Sequence, residues 1–130
     1  MTGKTDTLVL EKVLTQADFD AFAGLSGDDN PIHVDEEFSA KTRFGHTVAH
    51  GMLLATILRG MLDQLVPGSR QVEQKLMFPS PTYAGDAVRF AVIRKSDDGR
   101  HVVAEVNCER VEDGVITCAG EATLLRTEHR

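Results

Sequence analysis

Basic residues are scarce in this chain: 14 Lys and Arg stand against 20 Asp and Glu, for a net charge of −6. Nucleic acids and anionic membranes favour a positive protein surface, so this balance speaks against both as partners. A phosphorylated small molecule stays compatible with it, because a few local cations suffice. Cysteine is nearly missing too. Cys108 and Cys118 cannot build a disulfide framework and form no CxxC pair, so two buried, reduced thiols are expected. No apolar run approaches the roughly 18–20 residues of a membrane span. The opening Met1-Thr2-Gly3-Lys4-Thr5-Asp6 has no signal-peptide apolar region behind it, which predicts a cytoplasmic protein. Repeats, low-complexity tracts and linkers are lacking, so a single domain over residues 1–130 is expected.

What is present is ordinary globular composition, 42% hydrophobic and 26% charged, on a chain long enough for a real core. Residues 7–14 read as a strand in which Leu8, Leu10 and Val13 alternate with polar positions. Thr15-Gln16-Ala17-Asp18 reads as a capping box. It opens a helix whose stripe of Phe19, Phe22, Ala23 and Ser26 should face the core, and Gly27 suits its end. Residues 28–33 read as a loop, residues 35–41 as a short helix and residues 42–48 as a second loop. The longest helical pattern covers residues 49–65. Leu53, Leu54, Ile57, Leu58, Met61, Leu62 and Leu65 span an arc wide enough to predict a helix wrapped by its neighbours.

Beyond Pro67-Gly68 the period changes from helix to strand, over residues 72–78, 87–95, 102–111 and 115–125. A hairpin centred on Asp113 sets Val102 opposite Leu124, Ala104 opposite Ala122, Val106 opposite Gly120 and Cys108 opposite Cys118. These positions share one face and nearly all are small or apolar, as the buried side of an antiparallel pair requires. One long helix cradled by a curled antiparallel sheet is the economical α+β arrangement.

The chemistry concentrates in Leu25-Ser26-Gly27-Asp28-Asp29-Asn30-Pro31-Ile32-His33. An imidazole can take a proton from water near neutral pH, and a carboxylate beside it can orient it or share the transfer. Asp28 and His33 are therefore the candidate catalytic pair. Asn30 could position either group or the substrate through its amide, and Pro31 stiffens the backbone between them. A plain Asx turn would use the same acid and amide only to satisfy backbone donors. The second candidate is Ala49-His50-Gly51-Met52-Leu53, at a helix start, where backbone N–H groups are unpaired and the dipole is positive. Gly51 would offer its N–H to a thioester carbonyl and polarise it toward the enolate. A packing glycine is the competing reading. His46 and His50 stand four apart, but no glutamate follows His46 as in HExxH, so no metal site is expected. Lys41, Arg43, Arg70 and Lys75 flank these segments and could meet phosphates or simply face solvent.

These segments, with Phe78-x-x-Pro81-x-x-x-Gly85-Asp86, resemble the MaoC-like (R)-specific enoyl-CoA hydratases. The similarity covers roughly residues 7–125 and rests on the specific Asp-x-Asn-Pro-x-His motif. The resemblance implies a single hot-dog fold and a homodimer with joined sheets and active sites at the subunit interface. It also implies an acyl-CoA thioester substrate and neither cofactor nor metal. Asp28 and His33 would activate the water that adds to a trans-2-enoyl-CoA, Gly51 N–H would hold the thioester oxygen, and Asn30 would support the loop. One departure is Arg59, where family members often carry a small hydroxyl residue. An i,i+4 pair with Asp63 is the favoured reading, and projection into the acyl pocket the other. Two further functions compete with hydration. A hot-dog thioesterase usually carries an acid on the long helix, which here has only Asp63. A non-catalytic acyl-CoA-binding module would have no need of an acid and a base together.

Overall fold

The computed structural model describes residues 6–127, so the first five residues of the N-terminal segment lie outside it. In chain order the elements are β1 (Thr7–Val13), α1 (Gln16–Ser26), α2 (Pro31–Val34), α3 (Glu36–Ala40), α4 (Gly51–Leu65), β2 (Arg70–Met77), β3 (Ala87–Asp97), β4 (His101–Arg110) and β5 (Ile116–Leu125). The strands form one five-stranded sheet in the order β1-β3-β4-β5-β2, every neighbouring pair antiparallel. Register shifts in the β2–β5, β3–β4 and β4–β5 pairs mark irregularities of the kind that bend strands and increase twist. The sheet wraps the long helix in the α+β hot-dog arrangement.

Packing follows the apolar arc of α4. Leu54, Ala55, Leu58, Met61, Leu62 and Leu65 are buried, with Leu53 and Ile57 packed partly against the same core. Their counterparts are Val88, Phe90 and Val92 on β3 and Val102, Ala104 and Val106 on β4. Each fully buried large side chain contributes roughly 1.5–3 kcal/mol, so this one helix accounts for a large part of the hydrophobic stabilisation. α4 begins at Gly51, two residues later than its hydrophobic pattern suggests. Val48 bridges to Tyr83, and Ala49 N–H donates to Thr82 O at 2.8 Å, which holds that stretch extended.

The β4–β5 hairpin has the four predicted pairs, Cys108 opposite Cys118 among them. Nearer the turn Glu109 pairs with Ile116, which leaves Thr117 as the extra residue of a bulge. Both thiols are buried and free. The hydrogen bond to Cys118, and then burial, push the Cys108 thiol far above its ordinary range, so it stays protonated.

Three local expectations are corrected. β1 is an outer strand, and Leu10 and Val13 are exposed while only Leu8 packs onto the core. Ser26 is exposed, so the buried face of α1 is narrower and consists of Phe19 and Ala23, with Phe22 half-buried. The stretch following Asn30 is not all loop. Pro31, with its preset φ, starts the four-residue α2, and the Asn30 side chain caps it by accepting Ile32 N–H at 3.2 Å.

Candidate active site

The α1 capping box forms as its sequence predicts, with Thr15 Oγ1 accepting Asp18 N–H and Asp18 Oδ2 accepting Thr15 N–H. At the other end Gly27 adopts φ 83°, a left-handed cap whose N–H reaches Ala23 O at 2.9 Å. The chain therefore leaves α1 sharply and places Asp28 just past the cap, its N–H held by Ser26 Oγ at 3.1 Å.

His33 is fixed from three sides. Val48 N–H donates to Ile32 O at 2.9 Å, and Val48 O accepts the His33 Nδ1 proton at 2.7 Å. Gln16 Nε2 donates to His33 O at 2.8 Å. Because a carbonyl can only accept, Nδ1 carries the ring hydrogen and Nε2 presents its lone pair in the neutral ring. That Nε2 lies 3.9 Å from Asp28 Oδ2, too far for a direct hydrogen bond but close enough for one water to bridge both. The imidazole is buried, whereas the Asp28 side chain is 58% exposed, so the carboxylate meets solvent and the ring backs onto protein.

His33 and Gly51 both line a cleft of about 330 Å³ whose other walls include Arg43, Phe78, Ser80 and Thr117. The His50 side chain makes no capping hydrogen bond to the first turn of α4, and among the described residues no side chain is seen to accept from Gly51 N–H, which leaves that group open to a ligand. The glycine itself has a packing reason. A Cβ at position 51 would lie 2.9–3.1 Å from three ring atoms of Phe78. Gly51→Ala is expected to lower activity, and Gly51→Ala/Phe78→Leu to recover it to within a few-fold. Steady-state kinetics of the two variants check this, and a loss persisting in the double variant would put the methyl in the substrate's own path.

The structure thus brings Asp28 and His33 together and sets both beside the start of α4, with Asn30 holding the turn between them. It also places beside them residues to which the sequence pattern assigns no part in this site. Gln16 links α1 to His33, and Thr47 Oγ1 donates to Gln16 Oε1 at 2.6 Å. Glu36 accepts from Thr47 N–H, and the hydrogen bond from His46, then that from Thr47, hold its carboxyl below the usual range. Buried His50 donates from Nε2 to Asp28 O at 2.8 Å and stacks on His33 with ring centroids 3.8 Å apart. No sequence signal marked Gln16 or Thr47, because their partners are distant in the chain.

Asp28, His33 and His50 each bring a ligand-type atom within 4.8 Å of the others. The His33 and His50 rings stack at an interplanar angle of 21°, so their in-plane lone pairs run side by side instead of converging on one ion. One nitrogen of each is already committed to a carbonyl. The flanking cations disperse. Arg43 lines the cleft, its guanidinium 4.7 Å from the Phe44 ring centroid, whereas Arg70 shares another cleft with Arg100 and Arg126. Arg59 does not pair with Asp63. Its Nη2 turns to Ser69 O at 3.1 Å, where burial favours a fixed carbonyl over an exposed carboxylate, and its Nη1 is buried without a partner among the described residues.

A family model described as MaoC like domain matches residues 2–118. The chain belongs to this family. It is 34% identical over 118 residues to an (R)-specific enoyl-CoA hydratase of Aeromonas caviae, with 88% of each chain covered. It is 31% identical over 124 residues to a mitochondrial 3-hydroxyacyl-[acyl-carrier-protein] dehydratase of Arabidopsis thaliana, covering 92% of this chain and 75% of that one. The solved (R)-hydratase from A. caviae involved in PHA biosynthesis superposes with a TM-score of 0.88 at 32% identity, over 97% of this chain and 98% of that one. The MaoC-like chain is a hydro-lyase, a hydratase or dehydratase. Among the described residues, no helix is long and apolar enough to cross a membrane.

Proposed function

We propose that this MaoC-like protein adds water to a trans-2-enoyl-CoA to give the (R)-3-hydroxyacyl-CoA, and catalyses the reverse dehydration. In this reading water sits between Asp28 Oδ2 and His33 Nε2. Its oxygen attacks C3 of the enoyl chain while the pair takes one proton, and C2 receives a proton as the enolate collapses. Hydroxyl on C3 and hydrogen on C2 balance the one water consumed. Gly51 N–H, at the positive start of α4, holds the thioester oxygen as negative charge develops on it. The observation that carries the reading is the His33 tautomer. Its Nδ1 hydrogen is committed to Val48 O, so the neutral ring directs a proton acceptor at the Asp28 carboxylate across a gap that one water fits.

The acyl-CoA choice rests on relatives named enoyl-CoA hydratase at 34% identity, over 88% of the A. caviae protein and 82% of the Rhodospirillum rubrum one. Hydration of crotonyl-CoA, followed as loss of the enoyl-thioester absorbance, tests it. Release of free thiol from the CoA ester without that loss would instead indicate a thioesterase. No change in either would leave the acyl-CoA-binding module.

In the same reading the protein acts in the cytoplasm as a homodimer joined along β2. That strand lies at the sheet edge and exposes Met77 at 65%, with Phe78 just beyond it at 45%. Edge strands with exposed apolar side chains invite pairing with another chain. Sedimentation of the intact protein as a monomer at micromolar concentration would exclude this arrangement.

A further inference from the structure

We infer that His50 is the positioning residue that holds the acid, the base and the α4 start in one arrangement. The inference rests on the proposed roles of Asp28, His33 and Gly51 and adds the part that fixes their mutual geometry. His50 is 2% exposed, one of the few buried polar residues of the chain's described part. Its Nε2, one ring face and its backbone each meet a different component of the site. Its Nε2 donates to Asp28 O at 2.8 Å. One ring face stacks on His33, with centroids 3.8 Å apart and planes 21° apart. Phe22 of α1 meets the ring edge-on at 4.9 Å, which fixes its tilt. Its backbone is the N-cap of α4, in extended conformation at φ −62° and ψ 135°, so the next N–H is that of Gly51.

The need for such a part is visible in the loop. Residues 24–31 are all exposed, so burial does little to hold Asp28. Among the described residues, the other hydrogen bond of the Asp28 backbone is its own N–H to Ser26 Oγ, which anchors it to α1 and not to α4. Among the described residues, the His50 contact therefore ties the carboxylate-bearing residue to the helix whose N-terminus would polarise the substrate. Since Asp28 O can only accept, Nε2 carries the hydrogen in His50, and Nδ1 is buried without a partner among the described residues. An aliphatic residue could fill the volume at no such cost. Retaining an imidazole with one orphaned nitrogen is explained by the work of the other.

Substitutions separate the tether from the stack. His50→Phe keeps an aromatic face against His33 and removes the donor to Asp28 O. His50→Gln keeps a donor where Nε2 stands and removes the stack. Displacing a reacting group by about 1 Å can cost on the order of 10²-fold in rate. His50→Phe is therefore expected to lose about 10²-fold in kcat for crotonyl-CoA hydration with KM changed less than about threefold. His50→Gln is expected to recover most of that loss.

A second readout does not depend on activity. In wild-type protein with ¹⁵N-labelled histidine, His50 is expected as the Nε2–H tautomer and His33 as the Nδ1–H tautomer. The inference is overturned if folded His50→Phe keeps wild-type kcat, if His50→Gln is no better than His50→Phe, or if His50 carries its hydrogen on Nδ1. If wild-type protein shows no hydration while both tautomers are as stated, the functional reading fails and the tether between Asp28 and α4 stands.

Discussion

His33→Ala is expected to lower kcat for trans-2-enoyl-CoA hydration by about 10²–10⁴-fold, and Asp28→Asn to cause a loss of the same order. His33 has one nitrogen committed to Val48 O and the other directed at Asp28 Oδ2 across 3.9 Å. In the proposed mechanism alanine removes the acceptor for the water proton, while asparagine keeps the shape of the Asp28 carboxylate and removes its charge. Acting on a single water, the two groups should not be additive, and the double variant should lose little more than the worse single one. His33→Ala also frees Val48 O and one face of His50, so its melting temperature is measured beside the kinetics to separate unfolding from lost chemistry. If either variant, still folded, hydrates crotonyl-CoA within about threefold of wild type, well short of the general acid–base range, that residue has no part in activating water.

Several features of the fold were legible because they are local. The capping box at Thr15 lies within four consecutive residues and forms as written. The β4–β5 register follows from one turn and period-two alternation, and four predicted pairs meet, although the bulge at Thr117 does not show in a pattern of apolar residues. The apolar arc of α4 predicted a wrapped helix for the same reason. What escaped was set by distance. Gln16 reaches His33 O across 17 residues and His50 reaches Asp28 O across 22, so neither contact has a periodicity to betray it.

Arg59 shows the opposite failure, in which a local rule lost to tertiary structure. An i,i+4 ion pair is worth only a few tenths of a kcal/mol at the surface. A hydrogen bond from a charged group to the Ser69 carbonyl, at a half-buried site, is worth about 1.5–3 kcal/mol. Asp28 and His33 were legible as a candidate pair because proline, amide, acid and imidazole crowd into one short segment. Their separation, and the tautomer that gives the gap meaning, depend on Val48 and could come only from the fold.

Gly120 leads to the largest expected effect on stability. It sits in β5 between β4 and β2, opposite Val106 on one side and Leu76 on the other. A Cβ there would fall 1.8 Å from Lys75 O, 2.8 Å from Lys75 C and 3.0 Å from Leu76 Cα. All three are backbone atoms, so no rotamer change relieves the clash and β2 must move away from β5. In sequence the residue reads only as a small partner for Val106, whereas the reason for glycine lies on its other side, where a strand arrives from more than 40 residues earlier.

Gly120→Ala is expected to cost at least about 4 kcal/mol, the range reserved for core disruption, out of a total of about 5–15 kcal/mol for a typical domain. At about 3–6 °C per kcal/mol for a chain of this size, the melting temperature should fall by more than about 10 °C. Gly60→Ala is the matched control. A Cβ at Gly60 meets nothing within 4 Å, and alanine in a helix interior should stabilise by about 0.5–1 kcal/mol. Calorimetry on the pair isolates the effect of the close β2–β5 approach from that of removing a glycine. A Gly120→Ala protein that melts like wild type would mean that β2 does not pair closely with β5 at Leu76. The edge strand offered for dimerisation, and the Phe78 wall of the cleft that follows it, would then have to be placed anew.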